Sequence, residues 1–526
     1  MLSALLGLVG GCSDEQRAPL LPARPIVLAA TQTPVPVAGP AIDVVAPDVP
    51  AFQETGDWAL PHGGQRATRA RDSEIQSSTV ERLDVAWTMP IWGFGPYGYA
   101  AGAPVVVEET VYLQDLGSNL YAVDLESGEL IWEAAGVAPV AGPNGPAVAD
   151  GRVFASRGAS TLSALDAGSG ELLWTVGLEK DGFQPTVFGD AVLVGTGNFA
   201  HVPGNSGFVH AFDAATGEAL WSFQVVEEGF WGDPTENSGG GVWYAPSIDE
   251  RRGLIYFGTG NAGPYPGTRF YPNATSRPGD NLYTSSMVAL SAADGEVAWY
   301  HQVVTHGLFD HDFQLSPMLV TVATSEGERE LTIGAGKAGR VVAVEADTGE
   351  MVWDTPVGIH QNDDLAELPL GALVEVYPGV YGGVETPMAF AGGLVFAPVV
   401  NAPTTHSATG HGAADGSSAL VNASARTSLG GATGELVALD AATGAVVWTV
   451  EFDSPLFGGA TAVGDLVFTG TYAGEIIAVR QADGVEVWRY QTGGGINSWP
   501  AVQGDTIVWA IGLGVPRLLA LRLVAD

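Results

Sequence analysis

The segment Phe309-Asp310-His311-Asp312-Phe313-Gln314 places two carboxylates around one histidine, in a chain otherwise rich in Val, Gly and Ala. A carboxylate within hydrogen-bond reach of a substrate hydroxyl takes its proton. Paired carboxylates also suit a hard, multivalent cation. In an extended strand, residues i and i+2 face the same side, so Asp310 and Asp312 would approach one ion together. The competing reading is a solvated acidic turn. Asn261 ends the run Gly258-Thr259-Gly260-Asn261. Its amide oxygen is a suitable hard-cation ligand, although Asn after Gly also closes turns. Trp243 on its own reads as a core residue. Lys337 sits in a Gly-rich turn of a chain with only 21 basic residues, and reads as a site cation or as a solvated lysine. Asp280 and Asn281 read as turn-formers near the site. His306 and His201 receive no role, because a lone histidine is more often structural.

Such residues need a scaffold, and one phrase recurs along the chain. LYAVDLESGELIW ends at Trp132, LSALDAGSGELLW at Trp174 and VHAFDAATGEALW at Trp221. Related phrases end at Trp299, Trp353, Trp448 and Trp488. Each is an apolar run, an Asp-x-x-(Thr/Ser/Asp)-Gly type of turn and a second apolar run closing on Trp, which specifies a β-hairpin. The Trp residues are spaced 42, 47, 78, 54, 95 and 40 apart. About forty residues is the length of one four-stranded propeller blade. The longer gaps contain insertions, one before Trp299 and one over 403–430 that reads as an exposed polar loop. The strand around Trp87 and the strands after Trp488 would complete a further blade and close the ring. The expected fold is therefore all-β, a single eight-bladed β-propeller over residues 56–526, with seven blades as the alternative.

Composition narrows the function classes. The formal charge is −38, from 21 basic and 59 acidic residues, which opposes binding to nucleic acid. Hydrophobic residues make up 46% and charged residues 15%, so the chain can build a large core. Residues 1–12 form a short apolar run ending in Val9-Gly10-Gly11-Cys12. The run is too short to span a bilayer. It is similar to a bacterial lipoprotein signal, with Cys12, the only cysteine, as the lipidated residue; an ordinary secretory signal is the alternative. Residues 13–55 are rich in Pro and Ala and read as a disordered tether. The expected location is exported, periplasmic or cell-surface, held to a bacterial membrane by the lipid anchor alone. One cysteine cannot make a Cys-x-x-Cys-His haem site, and no Gly-rich nucleotide motif stands in a strand–helix context.

The hairpin phrase resembles the Trp-docking repeat of pyrroloquinoline quinone (PQQ) propellers, catalytic and non-catalytic alike. The stretches GGGVWYAPSIDERRGLIYFGTGN, RPGDNLYTSSMVALSAADGEVAWYHQVVTHGLFDHDFQ and GAGKAGRVVAVEADTGEMVW resemble the active-site half of PQQ-dependent alcohol dehydrogenases. The resemblance continues through GGATAVGDLVFTGTYAGEIIAV and TGGGINSWPAV. It implies Asp310 as catalytic base and Asn261, Asp310 and Asp312 as ligands of Ca²⁺ or a lanthanide ion. It also implies Trp243 as the floor under the quinone and Lys337 as the cation against its oxygens. The substrate would be an alcohol, aldehyde or sugar, with electrons leaving to an external cytochrome c or a membrane quinone.

Three family features are missing. GVAPVAGPNGPAVADG stands where the family carries two adjacent cysteines, and no Arg follows Asn144. The metal-binding Glu is replaced around Phe199, Ala200 and His201. Asp312, or Glu385 where the family tends to have Asn, would restore the lost charge. A PQQ-dependent dehydrogenase is one expectation. The other is a non-catalytic propeller lipoprotein, a BamB-like binding or assembly scaffold.

Overall fold

In four of the seven repeats the turn is built by an Asp and a Ser or Thr three residues on. The carboxylates of Asp124, Asp166, Asp213 and Asp440 accept from the backbone N–H and hydroxyl of Ser127, Ser169, Thr216 and Thr443 at 2.7–2.9 Å. The next residue is Gly in the left-handed region, as at Gly128 (φ 74°) and Gly349 (φ 72°). A side chain is excluded there for a second reason. A Cβ on Gly349 would lie 2.5 Å from the Trp299 ring, and one on Gly128 would lie 2.5 Å from Trp87. The Trp on the outer strand of one blade thus lies flat on the turn of the next. Its indole N–H donates across the same joint, Trp132 to Ala167 O at 2.9 Å, Trp299 to Ala346 O at 3.2 Å and Trp353 to Ala441 O at 2.9 Å. Burial of a large ring and one satisfied donor therefore weld consecutive blades.

In the computed structural model the described residues are 56–524, except 159, 198–201, 326 and 410–428. Among them the strands form eight four-stranded antiparallel blades. Seven run consecutively, over Val105–Ala134, Ala147–Gly177, Asp181–Gln224, Ser247–Gln302, Met318–Pro356, Ala389–Phe452 and Ala460–Gln491. The eighth takes Ala501–Gln503, Thr506–Ile511 and Arg517–Leu523 from the C-terminal end and Leu83–Pro90 as its outer strand. Leu83 pairs with Leu523 and Pro90 with Arg517, so the strand around Trp87 closes the ring as the sequence suggests. Trp87 then docks on the first blade, donating to Leu125 O at 2.9 Å.

Two features depart from the sequence reading. Ala70–Arg71 adds in parallel to the inner strand of the seventh blade. There Arg69, wholly buried, bonds Pro61 O, Ala460 O, Thr461 Oγ1 and Pro500 O. The insertion over 403–430 is not wholly an exposed loop. Thr404–His406 pairs with Val374–Val376, and His406 is buried. Residues 410–428, His201, the lipobox with Cys12 and the 13–55 tether lie outside the described residues. No helix among the described residues is long and apolar enough to cross a membrane.

Candidate active site

The candidate residues come from four connections of the fourth and fifth blades. Trp243 precedes the inner strand Ser247–Asp249 of the fourth blade, and Asn261 follows its second strand, Leu254–Gly258. Asp310 and Asp312 lie between the outer strand Val297–Gln302 and the inner strand Met318–Thr324 of the fifth blade. Lys337 is in the turn joining Gly327–Ala335 to Arg340–Glu345. The 309–314 segment is not a regular strand, contrary to the i, i+2 reading. Only Phe313 makes a bridge, to Thr259. The two carboxylates nevertheless converge, and His311 points elsewhere. It is buried, with Nε2 3.2 Å from Pro378 O and its ring 5.3 Å from Phe309. Burial lowers its pKa, so it stays neutral.

What joins the two carboxylates is Lys337. Its ammonium lies 3.0 Å from Asp310 Oδ2 and 2.8 Å from Asp312 Oδ2, and 4.8 Å from the centre of the Trp243 ring. Asp312 is fully buried, and its Oδ1 accepts from the Asn261 backbone N–H at 2.6 Å. The Asn261 side-chain amide stands 3.0 Å from Asp312 Oδ1 and 3.3 Å from Asp310 Oδ1. With its nitrogen turned inward it donates to both. With its oxygen turned inward the nitrogen donates instead to Ala262 O and Phe309 O at 3.3 Å, and three oxygens converge. Such a trio is stable only around a cation, and oxygen ligands of this kind suit a hard one. Among the described residues no three His, Cys, Asp or Glu side chains converge on a metal position. The third donor here is an amide.

The electrostatics follow from burial. Desolvation alone would lower the Lys337 pKa, but Asp310, Asp312 and Glu385 reverse this and raise it well above its usual value. Burial raises Asp312 despite its ammonium partner, and a second carboxylate adds to the rise. Burial likewise pushes Glu385 up to about 8, with Lys337 opposing.

Two cavities meet at Trp243, Tyr97, Tyr381 and Lys337. The smaller, about 100 Å³, is lined by Asp310, Asn261, Tyr265, Gly240 and Gly260. The larger, about 710 Å³, takes in Tyr244, Gln314, Glu385, Phe457 and Trp499. Ala141, Gly142 and Pro143, from the segment that replaces the cysteine pair, line it too. Close packing leaves no room for side chains beneath. A Cβ on Gly241 would meet Trp243 Nε1 at 2.4 Å, and one on Gly336 would meet Asp312 O at 2.3 Å.

Asp280 and Asn281 stand outside both cavities. Asn281 Oδ1 accepts from Arg277 Nη1 at 2.5 Å, and the residue has φ 55°, as a turn-former should. His306 only approaches Gly279 O, at 3.1 Å. The position of the missing Glu falls in 198–201, outside the described residues. The sequence reading missed Tyr265, which hydrogen-bonds Asp310, the hydrogen-bonded pair Tyr97 and Tyr381, and Gln314, whose Oε1 accepts from the Lys337 N–H at 3.2 Å. Isolated tyrosines in a β-rich chain carry no pattern that would have singled them out.

Two family models match the amino-acid sequence. "Glucose/ethanol/alcohol dehydrogenase, beta-propeller domain" matches residues 181–356. "Outer membrane protein assembly factor BamB" matches 71–266 and 403–515, more than half of the chain. The chain belongs to the propeller-repeat family that this second model describes. It is 28% identical over 320 residues to the quinohemoprotein alcohol dehydrogenase of Comamonas testosteroni, covering 54% of this chain and 44% of that one. It is 29% identical over 292 residues to the quinoprotein ethanol dehydrogenase of Pseudomonas putida, covering 50% and 47%. It thus spans about half the length of the curated relatives it matches. A solved europium-containing methanol dehydrogenase superimposes with TM-score 0.73 at 20% identity, over 89% of this chain and 98% of that one. BamB of Moraxella catarrhalis superimposes with TM-score 0.52 at 13% identity, over 84% and 98%. At these identities the superpositions establish the shared propeller fold.

Proposed function

We propose that the protein is an exported PQQ-dependent dehydrogenase that oxidises an alcohol, aldehyde or sugar. The observation that carries this reading is the convergence of Asn261, Asp310 and Asp312 beside Lys337 and Trp243. The oxygen trio fits Ca²⁺ or a lanthanide ion, and the face of Trp243 in a 710 Å³ cavity fits a flat quinone. Asn261, Asp310 and Asp312 would hold the ion, and Trp243 and Lys337 the quinone. The bound quinone supplies a two-electron acceptor for hydride from the substrate carbon. Asp310 accepts the substrate hydroxyl proton at a carboxylate oxygen, leaving a carbonyl product. Tyr265 orients that carboxylate. Lys337 offsets negative charge that builds on neighbouring oxygens. Gln314 fixes the Lys337 backbone, and the aromatic walls exclude water. An external cytochrome c or a membrane quinone would be the electron acceptor. Lipidation of Cys12 would keep the enzyme at the membrane surface that holds such acceptors.

The BamB-type match favours a second reading, a binding or assembly propeller without catalysis. Calorimetric titration of the purified propeller with PQQ separates the two. With Ca²⁺ or La³⁺ present, tight binding is expected, and Asp310→Ala should abolish it. No binding with either ion would leave the scaffold reading standing.

A further inference from the structure

The turn that carries Lys337 closes where the Gly339 N–H donates to Gly336 O at 3.0 Å. A separate stretch, residues 359–378, is fastened against it. That stretch is tied to itself by paired backbone bonds, Gln361 N–H to Tyr377 O at 2.8 Å and Tyr377 N–H to Gln361 O at 2.9 Å. His360 and Pro378, from its two ends, both pack on Gly339. A Cβ there would lie 3.1 Å from His360 Nε2 and from Pro378 Cγ, and the residue has φ 65°.

The His360 ring has an acceptor at each nitrogen. Nδ1 lies 2.6 Å from Asp363 Oδ2, and Nε2 lies 3.0 Å from Gly339 O. A neutral imidazole has a single N–H and satisfies only one of them. With that proton held at Nδ1 by the carboxylate, the Nε2 lone pair would face the carbonyl oxygen and the contact would open. The imidazolium donates to both. Burial lowers the His360 pKa, but the bond to Asp363 and its charge outweigh this and raise it above the usual value. Of the other titratable groups nearby, His311 stays neutral, and the Lys337 ammonium points to Asp310 and Asp312.

We infer that His360 is a positioning residue, an imidazolium backed by Asp363 that clamps the Lys337 turn through Gly339 O and makes the placement of Lys337 depend on pH. A raised imidazole contributes fully below its unfolded value, and the contribution is lost as pH rises through the folded one. The clamp is therefore closed in neutral and mildly acidic solution and opens in alkali. Its bearing on catalysis rests on the reading of Lys337 above; the clamp itself does not.

Hydrogen exchange read by mass spectrometry on the full-length protein, with neither quinone nor alcohol, tests the inference. The amides of Gly339 and Val357 report the turn, since the Val357 N–H donates to Gly339 O at 2.8 Å. Their protection, corrected for the intrinsic pH dependence of exchange, is expected to fall about tenfold between about pH 5.5 and 9, as one hydrogen bond from a charged group is lost. His360→Gln keeps an N–H donor without the charge, and its protection should vary less than about threefold over that range. Asp363→Asn should move the fall to lower pH. Constant protection in the native protein, or an equal fall in His360→Gln, would overturn the inference. Should His360→Gln fail to fold, a fall at the same pH in Asp363→Asn as in the native protein overturns it equally. The calorimetric titration with PQQ tests the dehydrogenase reading separately, so failure of one is told from failure of the other.

Discussion

The aspartates of the blade joints and those of the candidate active site are the same side chain in opposite surroundings. Asp124, Asp166 and Asp213 accept from a Ser or Thr three residues away, and those bonds hold their carboxyls below the usual range. Asp312 is buried among partners 25 and 51 residues away, and burial holds its carboxyl above that range. Local partners are present in the unfolded chain and cost little to organise. Distant partners meet only after the ring has closed. The joints therefore spend no folding free energy on isolated charge, whereas the pocket desolvates two carboxylates against a single ammonium. The contrast separates the part of the molecule that makes the ring from the part suited to chemistry.

The largest expected effect tests whether docking makes the ring. Trp299 is wholly buried against Gly349, so Trp299→Ala should cost about 3–5 kcal/mol in denaturant unfolding. Trp488 faces the blade assembled from the two chain ends, which has no hairpin turn at that place. It packs instead on Phe468 and Tyr490. Trp488→Ala should cost no more than about 2 kcal/mol. Equal losses would show that ring burial alone, and not the joint, carries the stability.

A smaller effect concerns pH. The joint aspartates have lowered pKa values, so their contribution is present above the unfolded value and is lost as pH falls through the folded one. Glu385 is raised to about 8, so its contribution is present below the unfolded value near 4.5 and is lost as pH rises toward 8. Acid should weaken the joints and alkali the pocket. Glu385→Gln should flatten the decline between about pH 5 and 8 by up to about 1.4 kcal/mol per pH unit, and leave the acid side unchanged. Unfolding curves collected across that range check this. An unchanged alkaline slope would mean that Glu385 is ionised without cost.

How much of this was legible in sequence follows the same division. The joints could be read because Asp, Ser or Thr, Gly and Trp recur at fixed short offsets. Closure at Trp87 could be read as the strand the count lacked. The parallel addition of Ala70–Arg71 could not, since two residues have no period. In the site, Asp310, Asp312, Asn261, Trp243 and Lys337 were found as residues, but their mutual geometry was not. No local pattern states that Lys337 would lie between the aspartates, that His311 would turn to Pro378, or that Tyr265 would reach Asp310.

The most direct test of the central claim is a crystal structure of the protein soaked with Tb³⁺, with the ion located by anomalous scattering. The account predicts one ion bound by Asn261, Asp310 and Asp312 at about 2.3–2.6 Å. An ion bound elsewhere, with none at these three residues, would contradict it.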